Sequence, residues 1–145
     1  MFGETSIIGS KTIALDKKNR IIIPKFTGAE PKDRIITRLN FYQNKLFIQS
    51  VDDYMSDANR FEELLLEQKE KGKLNAADIR QYRRFFYGSL SSPDEELDSQ
   101  RRFTLFPHFV QKLKLYESVF VIGKDTHLEL YPNEETYYIL NAKQK

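Results

Sequence analysis

Two stretches of the chain carry residue types at a spacing able to do chemistry. Asp16-Lys17-Lys18-Asn19-Arg20 runs into Ile21-Ile22-Ile23-Pro24, and Asp98-Ser99-Gln100-Arg101-Arg102 runs into Phe103-Thr104-Leu105-Phe106, so Asp-x-x-x-Arg recurs at an offset of 82 positions. An Asp ahead of a tight turn accepts that turn's N–H groups. An Arg presents a planar fork of donors that fits a guanine edge bidentately, while neighbouring Lys side chains meet phosphate. One tip can therefore both read and hold a polyanion. The plainer reading is a staple: an exposed carboxylate and guanidinium bracketing a turn are worth roughly 0.2–1 kcal/mol and need mean nothing more. Two instances at matching places suggest a paired surface, yet the residues alone leave both readings open.

Elsewhere the sequence is poor in chemistry. His108 and His127 stand alone, without a carboxylate at helical spacing, which argues against metal ligation or general-base work. No Gly-rich phosphate loop, nucleophile elbow or paired metal signature occurs. Glu62, Glu63, Glu67 and Glu70 beside Lys69, Lys71 and Lys73 describe a solvated helix face. Arg80, Arg83 and Arg84 suit phosphate, but charges opposite an apolar stripe normally face solvent. Phe85-Phe86-Tyr87 is read as core.

The elements that position the two tips follow from periodicity. Lys11 to Leu15 and Arg20 to Ile23 are β-branched and read as strands of a hairpin with a three-residue loop, Lys17-Lys18-Asn19, whose last residue takes the left-handed region that Asn tolerates. After a connection at Thr27 to Asp33, Arg34 to Leu39 and Lys45 to Gln49 pair around Asn40 to Asn44. The period then becomes helical through Tyr54, Ala58, Phe61 and Leu65, with Asp52-Asp53 in the first turn. A break at Glu67 to Lys73 precedes a second helix capped by Asn75, with Ile79, Tyr82 and Phe86 inward, and the two helices form an antiparallel pair. Gly88 to Glu96 is rich in turn residues. The first pattern then restarts, with a short helix after Pro107 through Val110 and Leu113, strands at Val119 to Ile122 and Leu128 to Leu130, and Glu134-Glu135 standing where Asp52-Asp53 stood. The correspondence predicts a duplicated unit whose halves bury their apolar faces against each other. The C-terminal Lys143-Gln144-Lys145 is expected to fray.

The 145 residues suffice for one domain with its own core, and the absence of Cys removes disulfides, thiolate catalysis and cysteine-ligated zinc. Neither a leader peptide nor a membrane span is read from the sequence, which places the chain in the cytoplasm. Net charge is only +2, but residues 1–50 hold nine Lys/Arg against four Asp/Glu while residues 91–145 hold seven against nine. The first copy of the unit is the basic one, the balance expected for a polyanion partner.

Met1-Phe2, Asp16 to Arg20 with Pro24, Arg84-Phe85-Phe86-Tyr87-Gly88, Asp98 to Arg102 and Val121-Ile122-Gly123 occur in the order seen in the MraZ family of bacterial transcriptional regulators, which the chain resembles over nearly its whole length. The resemblance implies an α+β fold, a double-split β-barrel of the AbrB/MraZ kind made from two internal repeats, with peripheral helices including the antiparallel pair between the repeats. Repeat 1 would cover about residues 1–54 with the helical pair at about 52–87, and repeat 2 about 88–145, all within a single domain. It implies a non-enzymatic, sequence-specific DNA-binding regulator, nucleoid-associated, that assembles as a ring-shaped homo-oligomer on direct repeats of promoter DNA upstream of division and cell-wall genes. No cofactor, metal, membrane or small-molecule substrate is expected. The DNA-contacting motif maps onto Asp16, Arg20, Asp98 and Arg102. On this reading Arg20 and Arg102 contact base edges, Lys17, Lys18 and Arg101 contact phosphate, and Asp16 and Asp98 shape the tips. Two departures bear on the second tip. Arg101 stands where the family has Gly, at a left-handed cost on the order of 1–2 kcal/mol, and Phe106 stands where it has Pro. A reshaped second loop, with the first carrying most of the contact, is the expectation. A rival reading keeps the same duplicated barrel as an oligomeric scaffold or protein-interaction module that does not bind DNA.

Overall fold

The computed structural model describes residues 1–40, 44–88 and 95–142. Strands β1 (Ser10–Ala14) and β2 (Arg20–Ile22) flank the first tip, and β3 (Arg34–Asn40) and β4 (Lys45–Ser50) follow after a single 3-10 turn at Lys25–Thr27. Helices α1 (Val51–Glu70) and α2 (Ala76–Gly88) come next. Then β5 (Glu95–Glu96) and β6 (Arg102–Thr104) flank the second tip, and α3 (Pro107–Leu113), β7 (Ser118–Gly123), β8 (Leu128–Tyr131) and α4 (Glu134–Ala142) complete the described chain. This is an α+β fold in which a six-stranded antiparallel sheet, ordered β1-β7-β8-β4-β3-β5, curls into a half-barrel beside a two-stranded ribbon of β2 and β6. Most of the expected elements are present. Parts of the expected Asn40 to Asn44 loop and Gly88 to Glu96 passage, and the C-terminal Lys143-Gln144-Lys145, lie outside the described residues.

The expected hairpin of β1 and β2 is corrected. β1 pairs with β7, Ile13 facing Val119, whereas β2 pairs with β6, Ile21 facing Phe103. The turn closes through its own bonds, and the strands that leave it then diverge. Both Ile13 and Ile21 are buried by residues from the other end of the chain, a larger apolar gain than two three-to-five-residue strands could offer each other.

The registers share one offset. Thr104 faces Arg20 and Arg102 faces Ile22, while Leu130 faces Leu46 and Leu128 faces Ile48. Each of these pairs becomes the other when 82 is added to one member and subtracted from the other. Bonds beyond the strands follow suit: Ile23 N–H donates to Arg101 O at 2.9 Å and Leu105 N–H to Asn19 O at 2.7 Å. The sheet order is likewise the same arrangement read from either edge. One core results, drawing Ile21, Ile23, Leu46 and Ile48 from one half of the chain and Phe103, Leu105, Leu128 and Leu130 from the other. Gly123 sits where that packing is tightest: its N–H donates to Gly9 O at 2.8 Å, and a Cβ would run into the carbonyl of Ile7. Gly123→Ala is expected to destabilise the fold by about 1–3 kcal/mol in a denaturant titration.

The helical insert behaves as a separate layer. Ser50 caps α1, its Oγ accepting the Asp53 N–H at 3.0 Å, and Asp52 and Asp53 lie in the first turn. The helix runs to Glu70, so the expected break narrows to residues 71–73, where Gly72 takes φ 71°. Asn75 and Asp78 cap α2 reciprocally, each side chain accepting the other's backbone N–H at 2.9–3.0 Å. Phe86 stacks on Phe61 with ring centroids 4.3 Å apart, and Arg83 and Tyr87 both donate to Glu62. Glu62 is thus a partnered acid, held below the ordinary carboxylate range first by Arg83 and then by Tyr87. Tyr82, expected inward, is exposed, as are Phe85 and Tyr87 of the segment read as core. Of the described apolar residues of α2 only Ile79 and Phe86 are covered, Phe86 lying between the Phe61 ring of α1 and the Arg38 guanidinium of β3, so the helix buries a narrow line.

Candidate nucleic-acid interface

At the first tip, Asp16 organises everything. Its Oδ1 accepts the backbone N–H groups of Lys18 and Arg20, both at 2.8 Å, and its Oδ2 accepts Arg20 Nε–H at 2.7 Å. Main-chain bonds from Asn19 N–H to Asp16 O at 3.0 Å and from Asp16 N–H to Arg20 O at 3.1 Å close the loop, with Asn19 at φ 60° as expected. The backbone N–H of Arg20 is the main reason the Asp16 carboxyl sits below its usual range; desolvation opposes it, and Arg20's side chain and the Lys18 N–H add to the lowering. The carboxylate is therefore charged throughout the neutral range.

The second tip repeats this bond for bond. Asp98 Oδ1 accepts from Gln100 N–H at 2.9 Å and Arg102 N–H at 2.8 Å, and Oδ2 accepts Arg102 Nε–H at 2.8 Å. The same two main-chain bonds close it, and Arg101 takes φ 59°. The expectation of a reshaped second loop is overturned. Five bonds fix the turn, and together they outweigh the left-handed penalty at one residue. Arg101 also directs its Nε–H toward Ile23 O at 3.4 Å, which points it along the chain. Phe106 is accommodated as the residue before α3, whose first residue is Pro107. Since the penalty is still present, Arg101→Gly is expected to raise stability by about 0.5–1 kcal/mol, measured as a higher melting temperature with the tip's shape unchanged.

Strand alternation then sets the direction of the arginines. Ile21 and Phe103 point into the core, so Arg20, Ile22, Arg102 and Thr104 share the opposite face of the β2–β6 ribbon. Arg20 and Arg102 lie on one diagonal of that face, about 7–8 Å apart by ladder geometry. Each is bound through Nε to its own Asp, and neither Nη group of either residue has a recorded partner among the described residues. A guanidinium held at Nε keeps its terminal fork aimed outward, the pre-organisation that bidentate recognition needs. Lys17 and Lys18 are exposed at the first tip, where the second has Ser99 and Gln100.

The remaining candidates do not join this site. Exposed His108 is the second residue of α3 and makes no bond to either tip among the described residues, and His127 is not alone as expected. His127 Nε2 lies 3.4 Å from Glu129 Oε2, in a cluster the sequence did not reveal. There Lys45 Nζ meets Glu129 Oε2 at 3.0 Å and Tyr131 O–H donates to Glu129 Oε1 at 2.8 Å, with Lys45 and Glu129 each less than a tenth exposed. Burial raises the Glu129 carboxyl, but bonds from His127, Lys45 and Tyr131 outweigh it and bring it down to about 2. Among the described residues, no group of three or more His, Cys, Asp or Glu could hold a metal ion, and no helix is long and apolar enough to cross a membrane.

Comparison with known proteins gives two relatives of the same kind. The chain is 26% identical over 128 residues to the transcriptional regulator MraZ of Caldanaerobacter subterraneus subsp. tengcongensis, covering 88% of this chain and 82% of the relative. It is 28% identical over 129 residues to the transcriptional regulator MraZ of Thermoanaerobacter pseudethanolicus, with the same coverage. No family model matches the chain.

Proposed function

We infer from this chain's membership of the MraZ family, shown by two relatives that span most of its length, that it is a transcriptional regulator acting through sequence-specific contact with double-stranded DNA. The observation that carries the reading is the pair of Asp-x-x-x-Arg tips with matching bonds at the ends of one ribbon, both arginines aimed from the same face. A two-stranded ribbon fits the major groove of B-DNA, and the Arg20 and Arg102 forks suit guanine O6 and N7. Asp16 and Asp98 hold those forks, while Lys17, Lys18 and Arg101 meet phosphate. The geometric ground for unequal arginines is gone. What remains unequal is the phosphate-contacting set, which is richer at the first tip.

The offset of 82 in the registers supports a fold built from two internal repeats about a local twofold, in the manner of a double-split barrel, with the α1–α2 pair inserted between them. We read the ring-shaped homo-oligomer, the direct repeats upstream of division and cell-wall genes, and a non-enzymatic, nucleoid-associated role in the cytoplasm as parts of the same proposal. Met55 and Leu66 on α1, Tyr82 on α2 and Tyr138 and Ile139 on α4 are large side chains left exposed, each available for contacts between copies. Assembly matters energetically, because one protomer offers few basic groups and several copies on successive repeats multiply weak contacts.

Salt dependence tests the phosphate role. In Lys17→Ala/Lys18→Ala the slope of log K against log salt on a duplex from upstream of the protein's own gene is expected to fall by about 2, with the preferred sequence unchanged. A scaffold that does not bind DNA shows no complex and no slope.

A further inference from the structure

The two halves of the ribbon match at their arginines but differ in the residue beside each. Position 22 carries Ile, and position 104, at the offset of 82, carries Thr. Ile22 is 44% exposed, on the outward face directly across the ladder from Arg102, and exposed Thr104 lies directly across from Arg20. Nothing in the fold requires an isoleucine there. The core side of β2 is already filled by Ile21, and the outward face of a three-residue strand at the molecular surface ordinarily takes a polar residue. The surroundings differ as well: Glu95 Oε1 lies 3.4 Å from the Thr104 backbone nitrogen as an acceptor, whereas the residue offset by 82 from Glu95 is the buried Ile13.

We propose that Ile22 and Thr104 are specificity-determining residues of the ribbon, with Ile22 packing on the 5-methyl group of a thymine and Thr104 making a polar contact to a base edge. The proposal rests on the reading of this ribbon as the DNA-contacting surface. Arg20 and Arg102 provide two equivalent guanine-seeking forks, and the residue facing each across the ladder decides which base is accepted next to that guanine. An apolar β-branched side chain in the major groove discriminates chiefly through the thymine methyl, while a hydroxyl can donate or accept and tolerates more than one base. The Arg102–Ile22 cross-strand pair therefore prefers thymine beside its guanine, and the Arg20–Thr104 pair does not. The two nearly symmetric halves thus read different base steps.

The test uses the intact chain in its native assembly. A duplex is first enriched from a randomised pool by the wild-type protein. Each thymine in it is then replaced by deoxyuridine, which removes only the 5-methyl group, and binding is measured for wild type, Ile22→Thr and Thr104→Ile. Both substitutions keep a β-branched side chain at an exposed strand position, and circular dichroism with a thermal melt confirms the fold. In the wild type one thymine-to-uracil change is expected to weaken binding about fourfold, the loss expected for one buried methyl. Ile22→Thr should be indifferent to that same change, and Thr104→Ile should acquire a second sensitive thymine in the other half of the site. If a sequence is enriched but the thymine scan is identical for all three proteins, the proposal is overturned while the DNA-binding reading stands. Failure of the wild type to enrich any sequence overturns both.

Discussion

Changing Arg20 and Arg102 together to Ala is expected to weaken binding of the cognate duplex by a factor of about 30 to 20,000. Each bidentate Arg–guanine contact is worth about 1–3 kcal/mol of discrimination, and the two tips present equivalent forks. Each single change should cost comparable amounts, because the Asp16–Arg20 and Asp98–Arg102 bonds agree to within about 0.1 Å. That equality is itself a test. A large excess for Arg20 would mean that the charge carried by Lys17 and Lys18 outweighs fork geometry. Stability should hardly change in the double variant, since both pairs are partly exposed and each Asp keeps its backbone donors. Retention of the fold in a variant that has lost its DNA separates recognition from stapling, the plainer reading of these residues.

Removing the Glu129 carboxylate is expected to produce the largest loss of stability, about 3–5 kcal/mol for Glu129→Gln in chemical denaturation. Gln keeps the shape but leaves the buried Lys45 ammonium without its counter-charge at the β4–β8 junction. Lys45→Met/Glu129→Leu should recover most of that loss, because an apolar pair of similar volume carries no desolvation cost. Acid makes the same point without mutation. Glu129 sits at about 2 in the fold against an ordinary 4.5, so its contribution is complete above about pH 4.5 and is lost as pH falls toward 2. Wild type should lose stability across that window more steeply than the apolar double variant, as read from denaturation midpoints at stepped pH.

The tips themselves were largely legible from sequence. Asp ahead of a turn, Asn at the left-handed place and Arg at the close are local chemistry, and the structure realises all three at residues 16–20. At the second tip the left-handed penalty at Arg101 is visible in the sequence, whereas the bonds from Asp98 that pin the whole loop appear only in the fold. What could not be read is non-local. Strands β1 and β2 are neighbours in sequence, yet each finds its partner 80 or more residues away. Lys45 looked like the polar first residue of a strand, and only the β4–β8 register brings it to Glu129. The buried stripe of α2 was overestimated for a related reason, since periodicity tells which residues share a face but not how much of that face another element covers.

Whether the paired Asp-x-x-x-Arg tips bind DNA is decided by titrating the intact protein against a duplex from upstream of its own gene, beside a scrambled duplex, over a range of salt. The expected complex prefers the upstream sequence, weakens steeply with salt, and is lost in Arg20→Ala/Arg102→Ala while fold and assembly remain. No preference over the scrambled duplex at low salt, or undiminished binding by the double variant, would contradict DNA binding by the tips.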